Sequence, residues 1–156
     1  MSRRRFVRLW PDVATGTGRT YAVRWGMCAA IGFAGLALLG AASLGFSMWQ
    51  SGLLALWVDL FGYTPWVYLG WALADGGIAS AAAIRFAQRN GMVTGPIALI
   101  LFLTALVHLI VQHILWSPFA PAYPLILVGL IHGVRGAWST WRYGPLDSTA
   151  LHHVFE

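Results

Sequence analysis

Residues 92–115, MVTGPIALILFLTALVHLIVQHIL, run into the corner WSPFAPAYP at 116–124, and LILVGLIHGVRGAWSTW returns at 125–141. Both arms are almost wholly apolar. The corner holds Pro118, Pro121 and Pro124, which cannot continue a helix. The stretch therefore reads as a helical hairpin. Each arm carries a histidine, His108 eight residues before Trp116 and His132 eight residues after Pro124. At a helical rise of ~1.5 Å per residue, both are expected ~12 Å below the corner.

Outward from the hairpin, the same character extends over most of the chain. Of 156 residues, 58% are hydrophobic and 10% charged, and the apolar residues fall in long runs rather than in narrow stripes. That is the composition of a membrane protein. A helix crosses a hydrocarbon core of ~30 Å with about 20 residues, and lipid leaves backbone groups no partner but their own helix. The expected fold class is thus all-α, a polytopic integral membrane protein with four transmembrane helices at about 25–49, 65–87, 92–115 and 123–141. A short external interfacial helix is expected at about 52–62, where Leu53, Trp57, Leu60 and Phe61 share one face. In domain terms this is a flexible arginine-rich tail at 1–20, a transmembrane domain at 21–142 and a polar tail at 143–156.

All ten basic residues are arginine, and their distribution gives the expected orientation. Arg3, Arg4, Arg5, Arg8, Arg19 and Arg24 precede the first span, Arg85 and Arg89 lie between spans two and three, and Arg135 and Arg142 close the fourth. The other two connections have none. The positive-inside rule then places both termini and the middle loop in the cytoplasm, as in a bacterial inner membrane, and the proline corner outside. The net charge of +5 belongs to the flanks of spans and forms no separate basic domain, so anionic lipid headgroups are the expected counter-charge and nucleic acid is not an expected partner. The run Ser2 to Arg8 resembles a twin-arginine export signal, but residues 10–20 separate it too far from the apolar run. Eight of the nine tryptophans fall near expected membrane boundaries, as interfacial belts do, and Trp71 alone is deep.

Within the spans, small residues recur at helical spacing: Ala30, Ala34, Ala37, Ala41 and Gly45 in the first, Gly70, Ala74, Gly77 and Ala81 in the second, and Gly129, Gly133 and Gly136 in the fourth. Such faces let helices approach closely, within one chain or between chains. Residues 15–18, Thr-Gly-Thr-Gly, read as part of the flexible tail, and Thr64-Pro65 reads as an N-cap with proline at the first helical position.

Four polar residues define the candidate site. Asp75 lies ten residues into span two, and Arg135 eleven residues after Pro124, so Asp75, His108, His132 and Arg135 are all expected within about 5 Å of one depth. The plainest expectation is structural, an Asp75–Arg135 pair inside the bundle with the histidines hydrogen-bonded beside it. Two functional readings stand next to it. His108 and His132 could supply the two axial ligands of a b-type haem, the cofactor this pattern admits. Alternatively Asp75, His108 and His132 could pass protons or ions. No metal site and no catalytic residues are expected. Cys28 is the single cysteine, and there is no phosphate-binding glycine loop, metalloprotease motif or nucleophile elbow. With no soluble domain, the expected role is an accessory, assembly or interaction subunit acting through helix contacts, with membrane lipids and other membrane subunits or further copies as partners.

Overall fold

The computed structural model describes residues 10–50, 64–111 and 120–143. Among these residues the chain forms four helices and no strands: α1 (Gly16–Gln50), α2 (Pro65–Ala87), α3 (Thr94–Val111) and α4 (Ala122–Tyr143). The expected interfacial helix at 52–62 lies outside the described residues, as do Arg3, Arg4, Arg5, Arg8, Gln112 and His113.

Helix α1 starts nine residues before the expected span, because residues 12–18 form a capped start rather than a flexible tail. Asp12 Oδ1 accepts the Ala14 N–H at 3.0 Å, and Thr15 Oγ1 donates to the Asp12 carbonyl at 2.9 Å while accepting the Gly18 N–H at 3.1 Å. Thr15 is therefore the N-cap, satisfying a donor that the first turn leaves orphaned. Any Cβ at Gly18 would collide with the Asp12 carbonyl, so the apparently flexible glycine is needed for the tight entry. Helix α2 starts at Pro65 as expected, with Thr64 in extended conformation before it. The Thr64 side chain, however, makes no capping hydrogen bond, and its carbonyl takes the Val67 N–H at 3.0 Å. The turn after α2 closes through Arg89 in left-handed conformation (φ 59°), with the Asn90 N–H on the Arg85 carbonyl at 2.8 Å. Pro96 and Pro124 fall in the first turns of α3 and α4, where a missing N–H costs no helical bond.

Helix α1, 35 residues and thus ~52 Å long, is the mast of a four-helix bundle. Helices α2 and α4 pack antiparallel along it, and α3 completes the ring between them. The α1–α4 seam is made of small residues on both sides. A Cβ on Gly129 would lie 2.5 Å from that of Ala29, one on Gly133 2.6 Å from the Gly26 Cα, and one on Gly136 2.9 Å from the Ala22 Cβ. The two backbones touch with almost no side chain between them. Phe86, at the end of α2, fills the gap where all four helices converge: Cβ atoms on Gly95 and Gly133 would each lie 2.8 Å from its Cζ, and one on Gly26 3.3 Å from its Cε2. Farther along, Phe33 and Phe102 meet edge to face at 5.1 Å, and Phe102 lies 6.4 Å from Tyr123.

The interior is built largely from Ala22, Ala29, Ala30, Ala79, Ala82 and Ala98, whereas Ile31, Leu39, Leu73, Ile84, Ile100, Val107 and Leu125 point outward. This is the reverse of a water-soluble bundle, in which large aliphatic groups turn inward. Helices α1 and α2 are each long and apolar enough to cross a membrane, and the apolar part of α3 covers Thr94–Ile110. The small-residue face of α1 turns inward, with Ala30, Ala34 and Ala41 buried and Ala37 and Gly45 half-buried. On α2 the recurring small residues instead turn outward. Gly70, Ala74, Gly77 and Ala81 are all exposed, and Gly76, Ala79, Ala82 and Ala83 form the buried face.

Candidate functional site

Helix α1 serves as a ruler for the four polar residues expected at one depth. Gly136 packs on Ala22 and Gly133 on Gly26, which places His132 and Arg135 beside the first three turns of α1. Gly76 instead packs on Leu38 and on the backbone one turn before it, a Cβ there lying 2.9 Å from Leu38 Cγ and 3.8 Å from the Ala34 carbonyl oxygen, which places Asp75 far along the same helix. The twelve residues from Ala22 to Ala34 correspond to ~18 Å of rise. Asp75 and Arg135 therefore do not pair. His108 lies six residues beyond Phe102, which meets Phe33, and His132 is adjacent to Gly133, which meets Gly26. Seven plus six residues of helix separate the two histidines by ~20 Å. Both axial ligands of a haem bind one iron atom, so one chain cannot supply His108 and His132 to the same haem.

The polar level thus divides into two sites. The first is at the end where Phe86, Gly95 and Gly133 converge. His132 is completely buried, and its Nδ1 lies 3.3 Å from Arg135 Nη1. A guanidinium only donates, so Nδ1 accepts and the ring proton of a neutral imidazole sits on Nε2. Trp10 covers both residues: its ring meets the His132 ring edge-on at 4.6 Å, and the Arg135 guanidinium carbon lies 4.6 Å from its centroid. Trp25 adds a second edge contact with His132 at 6.3 Å. Pro11 is fully buried next to Trp10, so this part of the N-terminal segment is packed against the bundle. Sequence reasoning missed that role because Trp10 stands among polar residues and has no periodic partner. Its only local signal was the aromatic-proline pair just ahead of a cap.

The second site lies on the α2–α3 seam toward the opposite end. His108 packs against Tyr68 at 5.1 Å and Trp71 at 6.3 Å. Asp75 is one helical turn beyond Trp71 on the same flank, half-buried. Among the described residues, none donates a hydrogen bond to it or forms an ion pair with it. Thr104, one turn from His108, is exposed and bonds the Ile100 carbonyl at 3.0 Å. Asp75 and His108 are thus brought to one seam, while His132 and Arg135 belong to the other site. Among the described residues, no three His, Cys, Asp or Glu side chains gather to hold a metal ion.

Charge is divided just as sharply. The packing at Phe86 brings together the start of α1, the end of α2, the start of α3 and the end of α4. Every described arginine, Arg19, Arg24, Arg85, Arg89, Arg135 and Arg142, belongs to that end. The opposite end, with Trp49, Gln50, Thr64, Trp66 and Ala120 to Tyr123, has no arginine among the described residues.

No family model, curated protein or solved structure matches this chain.

Proposed function

We propose that this chain is a multi-pass inner-membrane protein that works as an accessory or assembly subunit, recognising a partner through α2. The observation that carries the reading is Asp75. A half-buried carboxylate in the middle of an apolar helix needs a donor, and none among the described residues is bonded to it. A second copy in the same orientation would bring its arginines to the other end, ~20 Å away by the α1 ruler. The fitting partner for an ion pair is therefore a different membrane protein, with an arginine or lysine in its own span.

The outward aliphatic shell, the tryptophans near both ends and the single arginine-rich end support four spans with that end in the cytoplasm. Thiol labelling tests the orientation. In a Cys28→Ser background, Gln50→Cys should react with an impermeant reagent on intact spheroplasts, and Gln88→Cys only after permeabilisation. The reverse pattern would overturn it.

For the partner, mild-detergent purification from native membranes should retain a membrane-protein companion with the wild-type chain and lose it with Asp75→Ala, the chain's own level being unchanged. Retention of the same companion by Asp75→Ala would sink the role of Asp75. A proton or ion relay is the second reading, favoured by the common seam of Asp75 and His108. Reconstituted flux lost in both Asp75→Asn and His108→Ala would support it, and flux equal to that of empty vesicles would end it.

A further inference from the structure

We propose that Arg19, with Arg142 and Tyr143, forms a binding site for a phosphate group at the arginine-rich end of the α1–α4 seam. The carrying observation is an unmet charge. Nε and Nη1 of Arg19 are buried and have no hydrogen-bond partner, the only arginine nitrogens among the described residues in that state. A guanidinium cannot shed its proton, so burial leaves it a full cation in want of acceptors. Arg135 shows the contrast, with both His132 Nδ1 and the Trp10 face against it.

The ring of Tyr143 lies 5.9 Å from the Arg19 guanidinium carbon, and Arg142 lies 5.7 Å from the same ring. Two cations thus share one aromatic ring, and no carboxylate among the described residues pairs with either. Of the described acids, Asp12 faces its own turn, and Asp75 is ~22 Å along the mast from Arg19, at the level of Ala34. Tyr143 ends α4 and is 60% exposed, and Arg142 is exposed beside it, so an anion reaches Arg19 by turning that ring outward. The first turn of α1, directly before Arg19, adds the positive end of a 35-residue helix dipole. A phosphate supplies what the site lacks, several acceptor oxygens and negative charge in a geometry that a guanidinium fork matches.

The source is a phospholipid headgroup or free phosphate. A lipid source rests on the reading of this end as the cytoplasmic leaflet's side, which the labelling experiment tests independently. Micelles have no sides, so failure of one reading is distinguishable from failure of the other.

The experiment titrates the purified full-length chain in detergent with phosphatidylglycerol, phosphatidylcholine or inorganic phosphate and follows the thermal midpoint. Phosphatidylglycerol should raise the midpoint where phosphatidylcholine does not. Arg19→Gln should shift the half-maximal concentration upward by about tenfold, the size expected for losing a charge-assisted hydrogen bond. Arg85→Gln removes the same charge from the same end at an exposed position and should shift it little. Arg19→Lys, which keeps the charge but loses the fork, should fall between, and it serves as the probe if Arg19→Gln fails to fold. Saturation by inorganic phosphate, lost in Arg19→Gln, would assign the same site to the free ion. Equal losses in Arg19→Gln and Arg85→Gln, or no preference for phosphatidylglycerol and no response to phosphate, would overturn the proposal.

Discussion

Gly133→Ala should destabilise the bundle by about 2–3 kcal/mol, the upper range for overpacking a tight contact, and Gly133→Leu should prevent the chain from accumulating. The added methyl would lie 2.6 Å from the Gly26 Cα and 2.8 Å from Phe86 Cζ. One of these is backbone of a buried helix, and the other belongs to a ring enclosed by its neighbours, so neither gives way cheaply. The control is Gly77→Ala on the outward face of α2, where nothing lies within 4 Å. There alanine should stabilise by up to about 1 kcal/mol through helix propensity alone. The same substitution at two helical glycines thus has opposite signs, read as opposite shifts of the unfolding midpoint in detergent. Equal effects at the two positions would mean that the α1–α4 backbones do not meet at Gly26 and Gly133.

Phe86→Ala should cost about 3–5 kcal/mol, the range for emptying a buried aromatic site. Phe86 is 1% exposed and fills the space that Gly26, Gly91, Gly95 and Gly133 leave open, so its ring is the contact shared by all four helices. In a membrane the transfer component of that cost shrinks, because lipid is as apolar as the core. The void remains, and its lining atoms lose their dispersion partners. None of the four surrounding glycines has a side chain that could collapse into it. Phe86→Leu should recover about half of the loss by refilling part of the volume. A Phe86→Ala midpoint equal to wild type would show that the helices do not converge on this ring.

How much of this was legible before folding depended on the range of the interaction. The helix at 65–87 was readable to the residue because Thr64-Pro65 is a local start and Arg89-Asn90-Gly91 a local stop. The start of α1 was misread for a reason that is also local but subtler. Thr15-Gly16-Thr17-Gly18 looks like a linker by composition, yet Thr15 Oγ1 has a cap to make and Gly18 a carbonyl to clear. The inward face of α1 could be read from its small residues, and the same rule did not tell which face of α2 turns inward. Its small residues occupy both faces, Gly76, Ala79 and Ala83 on one and Gly70, Ala74 and Gly77 on the other, so periodicity alone had nothing to separate them.

The candidate site shows the limit most clearly. Counting residues from the proline corner assumed that both arms of the hairpin leave it flush, and the packing has Tyr123 beside Phe102 instead. That offset moves His132 and Arg135 to the arginine-rich end and leaves His108 with Tyr68, Trp71 and the seam that holds Asp75. By itself the sequence determined that the described chain is helical and where its helices after the first run, because hydrogen bonding and capping along a helix depend on neighbours in the chain. Only the tertiary structure decided which polar residues meet. Register between helices is set by where backbones can touch, and here Gly26 on Gly133, with Phe86 against both, sets it.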